Sequence, residues 1–558
     1  MISAGHHGAA HAGFCILEAG GNAVDAGVAA GICLSVLQAD IVNFAGVAPI
    51  MLWLADRREV ITIDGLGVWP RAARIDAFHE RYEGRMPPGL LRAVVPAAPD
   101  SWLTVLEKYG TMRFADVAAA AIRFARDGFP MHALMADYIA DNAEAYRRWP
   151  ANAAVYLPGG KPPAVNDLFV QADLARTLQY MVDEERAHAA RGRLAGIDAA
   201  RAAFYKGDIA RAIASYSREN GGWLDAEDLA NFRVRFEPPV KTSFRDLEVY
   251  ACGPWCQGPL VPLMLNILRG IDLEALGHNS AAYLHVLTEA IKLAFSDRHR
   301  YFGDPKFLQV PMEQLLSRDF AAERCKRIDL QRAFPGMPEA GAIAGWSSPR
   351  TPLPRATAGD PAPPADTSYV CVIDQRGNAF SATPSDESSA MPLIPGIGLV
   401  PSSRGSQSWT QRDHPACLAP GKRPRLTPSP GLVLKRGELY MPYGSPGNDI
   451  QPQAMVQALL NIVVFGMDPQ SAVEAPRIGS YSYPASSEPH AYHPGRIMID
   501  ARFPASVSDD LAARGHDVGR WPHLGWKAGA VCAIVRDPAT GVMSAGADPR
   551  RPAYALGW

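Results

Sequence analysis

The feature that most constrains this chain is a proline-rich stretch, residues 335–366, that has no hydrophobic period and stops at Thr367, where strict alternation begins. Proline fixes φ and removes a backbone donor, so neither a helix nor a sheet ladder runs through such a stretch. It reads as a surface loop or linker. From Thr367 to Asp374 the pattern reverses, and Val370, Val372 and Asp374 fall on one side of a strand. Residues 375–378 form a turn and 379–383 the returning strand. The chain therefore divides at 366/367 into a helix-rich region, 1–366, and a region richer in strands, 367–558.

The remaining elements follow from periodicity. Residues 14–37 carry a helical pattern broken at 20–22, with a new helix from Ala23. Residues 50–54 and 59–64 read as a hairpin, and 100–218 as mostly helix. A strand is expected at 245–252. Long amphipathic helices are expected at 259–269 and 280–301, the second with Leu284, Leu287, Ile291 and Phe295 on one face. Beyond Thr367 the pattern gives strands at 431–435, 439–443, 496–500 and 530–536 and a helix at 453–464.

Composition excludes several functions. Of 558 residues 48% are hydrophobic and 20% charged, enough for a large core and too apolar for global disorder. A formal net charge of -2 makes no electrostatic case for nucleic acid or an anionic membrane. The longest apolar run, residues 26–37, is too short to span a bilayer. No leader precedes the first helix, which points to the cytoplasm, or to the periplasm if a leader was removed. Only Cys252 and Cys256 of the eight cysteines lie close together, and C-x3-C without a second ligand pair reads as buried thiols. No zinc-protease, P-loop or EF-hand pattern occurs, so no metal or cofactor is expected. His6, His7 and His11 read as surface residues flanking a helix. Lys422 and Arg423 read as an ion-pairing turn.

A mobile loop that ends at a strand-starting threonine suits self-cleavage. Once the chain is cut before Thr367, the new α-amine, with a reference pKa near 7.7–8.0, can act as general base for the hydroxyl of the same residue. A threonine at a strand start is ordinarily just a β-former, so spacing alone leaves both readings open.

The chain resembles the γ-glutamyltransferase (γ-glutamyltranspeptidase) family along almost its whole length. The resemblance rests on residues 20–31 (GGNAVDAGVAAG), 109–130, 204–213, 277–305, 366–383 (DTSYVCVIDQRGNAFSAT), 421–430 (GKRPRLTPSP), 444–453 (GSPGNDIQPQ) and 545–550 (AGADPR). It implies an α+β fold, the four-layer αββα sandwich of N-terminal nucleophile hydrolases. It also implies a precursor cut into a large fragment, 1–366, and a small fragment, 367–558. Thr367 matches the nucleophile. Gly447 and Asn448 match the glycine pair whose backbone N–H groups form the oxyanion hole, and Ser385 matches a second threonine that bonds the nucleophile.

Where the sequence departs from the family, it departs at substrate anchors. Leu66 replaces an arginine, Leu426-Thr427 a Ser-Ser pair, Arg404-Gly-Ser406-Gln407 an acidic segment, and Glu387 an asparagine. A buried carboxylate without its guanidinium costs several kcal/mol, so the resemblance implies a small amide other than a standard γ-glutamyl group. Members such as oxamate amidohydrolase and cephalosporin acylase-like proteins are more similar in this respect. Arg404 is then expected to anchor a substrate anion, Glu387 to contact an amine or amide, and Thr427 to line the substrate site. The expected partners are the small-molecule amide, the two fragments of the same chain and a second copy of the chain. A true γ-glutamyltransferase and a catalytically silent binding protein remain the alternatives.

Overall fold

The structure is a computed structural model that describes residues 1–346, 351–361 and 367–558. Two antiparallel sheets stack face to face. The first has seven strands in the order Tyr554–Leu556, Ile2–Ala4, Val370–Ile373, Ala379–Ala382, Ile50–Leu54, Glu59–Ile63 and Phe236–Glu237. The second has six, in the order Met543–Ala547, Cys532–Arg536, Glu438–Gly444, Gly431–Lys435, Leu247–Ala251 and Val240–Phe244. Both sheets mix strands from either side of position 366/367, so the two regions are not separate globular units.

Alternation along Val370–Ile373 explains the layering. Val370 and Val372 join the apolar cluster under the helices Ala23–Leu37, Phe114–Asp127 and Ala172–Ala187. Tyr369, Cys371 and Ile373 point the other way, into a cluster with Leu432, Leu434 and Cys532 of the second sheet. The outer face of the second sheet packs on the helices Leu260–Leu268, Ala281–Tyr301 and Gln451–Val463. The result is the expected αββα sandwich. Asp374 lies on the helix side as expected, where its carboxylate accepts from the backbone N–H of Ala23 at 3.1 Å. Cys252 and Cys256 are buried between the sheets, and all eight cysteines are unpaired.

Several expectations need correction. His6 is no surface residue: it is buried, and its Nδ1 accepts from Gly8 N at 3.0 Å to cap the helix His7–Glu18. His7 and His11 are exposed as expected. The helix Ala281–Tyr301 is buried almost all round rather than amphipathic. Its polar residues are paired inside the protein, Lys292 with Glu289 and Asp297 with Arg324. Of the proline-rich stretch, residues 347–350 and 362–366 lie outside the described residues, and with them the Asp366 side of the expected cut.

The turn at Lys422-Arg423 is an ion-pairing turn, as read. The buried Arg423 guanidinium meets Asp64 at 2.9 Å, Glu237 at 2.7 Å and Asp304 at 2.7 Å. Burial nevertheless pushes the Asp64 carboxyl up to about 6, the Arg423 charge opposing it. A carboxyl raised in the fold favours the folded state below its unfolded value and loses that contribution as pH rises through its folded value. Arg423→Met is therefore expected to destabilise the protein by about 3–5 kcal/mol at pH 7, where it strands buried carboxylates. The loss should be smaller at pH 5, where Asp64 takes up a proton. Thermal unfolding of both proteins at the two pH values checks the size and the sign.

Candidate active site

Thr367 lies just before the interior strand Val370–Ile373 of the first sheet, in an isolated antiparallel bridge to Ser385, which is itself bridged to Val47. Ser385 N donates to Val47 O at 3.0 Å, Val47 N to Ser385 O at 3.1 Å, and Ser368 N to Pro384 O at 3.0 Å. The two hydroxyls are thus fixed by backbone bonds among three segments, at Val47, Thr367-Ser368 and Pro384-Ser385. Thr367 Oγ1 and Ser385 Oγ are 2.9 Å apart, both fully buried. Pro384, which precedes Ser385, does not turn the hydroxyl away.

A third group reaches Thr367 from the second sheet's side. Gln451 Nε2 donates to Thr367 Oγ1 at 3.2 Å. Gln451 is the first residue of the helix Gln451–Val463, so the positive end of that helix lies beside Thr367. Arg551 Nη1 donates to Thr367 O at 3.0 Å and fixes the residue's backbone.

The turn that leads into this helix holds the expected oxyanion donors. Gly447 has φ of 120° and Asn448 φ of 51°. The first needs glycine, and the second is a left-handed position that asparagine tolerates well. The turn is clamped from below. Ile450 N donates to Gly447 O at 2.8 Å, and Gln257 Nε2 to Asn448 O at 2.8 Å. Asp449 is paired with Arg298 and accepts from Ser486 N at 2.7 Å. Among the described residues the backbone N–H groups of Gly447 and Asn448 have no acceptor. Two fixed donors without a partner are what a developing oxyanion needs.

A cleft of about 270 Å³ opens at this turn. Its wall includes Glu387, Ser406, Gly447, Asn448, Tyr481, Tyr483, Glu488 and His493, with Pro361 of the proline-rich stretch on one side. Glu387 is half-buried, and burial pushes its carboxyl above the usual range against the pull of Arg92 and Arg404. Burial raises Glu488 in the same way.

The other two expected substrate contacts lie elsewhere. Arg404 is buried, and its guanidinium Nη2 donates to Ser385 Oγ. Thr427 is fully buried and does not line the cleft. Its hydroxyl accepts from Gln407 Nε2 at 2.8 Å, and its N–H donates to Gln407 Oε1 at 3.1 Å. Leu66 and Leu426 are fully exclusive of solvent and pack with Val47, Trp255 and Tyr369.

Sequence reasoning missed Gln451, Arg551 and Glu488, and with them Asp386, whose carboxylate accepts from Ser402 Oγ and Ser403 Oγ at 2.5 Å each beside Ser385. Gln451 lies inside the stretch 444–453 and Arg551 directly after 545–550, so the motifs marked the neighbourhood without assigning these side chains a role. Glu488 lies in no motif. One group of potential metal ligands occurs among the described residues: His285, Glu289 and His516. It lies outside this site, and its groups are already engaged. Glu289 pairs with Lys292 at 2.8 Å, His285 Nε2 donates to Asp329 O at 2.7 Å, and His285 Nδ1 meets His516 Nε2 at 2.9 Å.

Comparison with known proteins agrees with this geometry. The gamma-glutamyltranspeptidase family profile matches residues 9–558. The chain is 33% identical over 555 residues to an acylase proenzyme of Pseudomonas sp. (strain SE83), covering 96% of this chain and 90% of that protein. It is 27% identical over 568 residues to the oxamate amidohydrolase proenzyme of Klebsiella pneumoniae, covering 100% and 98%. The crystal structure of the cephalosporin acylase from Bacillus halodurans superimposes with a TM-score of 0.86 at 28% identity, covering 100% of this chain and 95% of that one. With the family profile matched over residues 9–558 and the Thr367–Ser385 hydroxyl pair beside the clamped Gly447-Asn448 turn, the chain belongs to the gamma-glutamyltranspeptidase family of self-processing N-terminal nucleophile hydrolases.

Proposed function

We propose that the protein cuts itself between Asp366 and Thr367 and then hydrolyses a small amide that carries no γ-glutamyl head group, with Thr367 as both nucleophile and base. The observation that carries this reading is the convergence of Ser385 Oγ and Gln451 Nε2 on Thr367 Oγ1 beside a clamped Gly447-Asn448 turn. Thr367 Oγ1 attacks the amide carbon, and its proton passes to the Thr367 α-amine. Negative charge on the carbonyl oxygen is held by the N–H groups of Gly447 and Asn448. The proton then moves to the leaving nitrogen as the C–N bond breaks, which leaves an ester on Thr367. A water molecule, or an acceptor amine, attacks that ester by the same route in reverse. Glu387 in the cleft wall faces the acyl group and suits an amine or amide on it. Thr427 acts through Gln407, whose Nε2 also donates to Ser487 of the cleft wall at 3.3 Å. Eight unpaired cysteines suit a reducing compartment such as the cytoplasm.

The test is a panel of simple amides incubated with the matured protein and scored for released amine or ammonia. The expected result is turnover of at least one member, with kcat/KM rising through about pH 7–8 as the α-amine loses its proton. A chain that stays whole and releases nothing overturns the reading and leaves a binding protein.

A further inference from the structure

Arg425 is buried with its charge and without a counter-charge from the chain. We propose that it holds one small monovalent anion, of the class of chloride, enclosed in the cluster of His299, His414 and Trp409. The site is separate from the cleft wall, which does not include Arg425.

A guanidinium keeps its proton, so burial cannot make it neutral. Arg425 is fully buried and makes one hydrogen bond, from Nη1 to Arg298 O at 3.3 Å. Its Nε and Nη2 reach no acceptor among the described residues. These two groups share one edge of the planar fork, the edge that takes an anion with two parallel bonds. Among the described residues Arg425 forms no ion pair. Asp449, the carboxylate whose charge reaches it, is spent elsewhere. It pairs with Arg298 and accepts from Ser486 N at 2.7 Å and Ser486 Oγ at 2.6 Å. Other buried arginines, such as Arg423, Arg477 and Arg550, each meet a carboxylate.

The surroundings add donors and no negative charge. His414 Nδ1 accepts from Ala416 N at 2.9 Å, and its Nε2 faces His299 Nδ1 at 3.4 Å. Burial, with the Arg425 charge behind it, pushes both rings well below the usual histidine range, so each carries a single hydrogen. The bond from Ala416 puts the His414 hydrogen on Nε2, where it points to His299 Nδ1. The His299 hydrogen is then on Nε2, which is buried and without a partner, as is Trp409 Nε1. Trp409 stacks on His414 with ring centres 4.2 Å apart and meets His299 at 5.2 Å. Lys422, also buried, donates to Pro415 O at 2.8 Å and forms no ion pair among the described residues. A water molecule accepts from some of these groups and leaves the charge unpaired. An anion accepts from them and supplies the missing charge.

The experiment takes the wild type and Arg425→Met, prepared in sodium chloride, and transfers part of each into sodium gluconate of equal ionic strength, whose anion is too large to be enclosed. The transferred protein is denatured and its released anions are separated by ion chromatography. Thermal unfolding is followed in both salts at one scan rate. If the ion is held tightly, the wild type releases about one chloride per chain. If it exchanges, the wild type melts about 2–3 °C lower in gluconate than in chloride. Either result supports the proposal when Arg425→Met shows neither. Release of formate or acetate in place of chloride supports the site and identifies its ion as a carboxylate. A wild type that releases no anion and melts within about 1 °C in the two salts overturns the proposal. So does a salt effect that Arg425→Met shares in full. Should Arg425→Met fail to fold, crystals of the wild type grown from sodium bromide decide: an anomalous peak at the Nε–Nη2 edge of Arg425 supports the site, and no peak there overturns it.

Discussion

Replacement of Thr367 by alanine is expected to leave the chain whole at 60.1 kDa and to remove activity. The wild type is expected to give two fragments, the smaller beginning at Thr367. Both effects follow from one atom. Oγ1 is the group on which Ser385 and Gln451 converge, and removing it leaves no nucleophile for either the self-cleavage or the substrate reaction. The loss of a nucleophile typically costs about four to six orders of magnitude in kcat. Thr367→Ser keeps the hydroxyl and should still mature, more slowly, because the lost methyl group loosens a fully buried position. Intact-mass spectrometry reads both variants directly. An alanine variant that still hydrolyses amides at the wild-type rate would remove Thr367 from the mechanism.

Turnover of γ-glutamyl substrates is expected to be lower than that of an efficient amide by roughly three orders of magnitude or more. A γ-glutamyl group presents one carboxylate and one ammonium, and each needs a partner when it leaves water. Leu66 and Leu426, the positions that the resemblance matches to the family's carboxylate anchors, are both without solvent exposure and packed against Trp255 and Tyr369. Thr427, the second member of the former Ser-Ser pair, is spent on Gln407. Arg404, expected from the sequence to hold an anion, is turned to Ser385, and Arg92 of the cleft wall donates to Met86 O and Pro87 O. An unpaired charge costs several kcal/mol, and each ~1.4 kcal/mol is a factor of ten in the specificity constant. Steady-state rates with a chromogenic γ-glutamyl anilide, set beside the best amide of the panel, test this. Parity within about tenfold would mean that other residues rebuild the head-group site.

Much of this site could be read from the sequence because the residues that define it are local. Thr367 is marked by the change from a proline-rich stretch to alternation, and Gly447-Asn448 by a run of turn residues ahead of a helix. The support of Thr367 was not legible, since it is made by distant segments. Asp386 meets Ser402 and Ser403 across a loop with no period, and Arg551 arrives from the far end of the chain. The same holds for the fold. The hairpin at 50–63 carries its own alternation, whereas Ile2–Ala4 and Tyr554–Leu556 are three residues each, too short for any period to show. The helix Ala281–Tyr301 reads as amphipathic although it is buried almost all round, because its charges are paired internally and hydrophobic patterning registers a charge only as polar.

The mixing of strands within both sheets makes maturation a one-way event for folding. Ile2–Ala4, from the first region, lies hydrogen-bonded between Tyr554–Leu556 and Val370–Ile373 of the second. Before the cut, refolding is the search of one polymer for its own contacts, at a rate independent of concentration. After the cut the same sheet can be rebuilt only when two separate polymers meet, each missing its neighbours' strands and prone to pair with the wrong edge. Such a molecule is expected to show hysteresis, melting at one temperature without returning on cooling, so that its working lifetime would be set by how slowly the first strand lets go rather than by any balance with an unfolded pool.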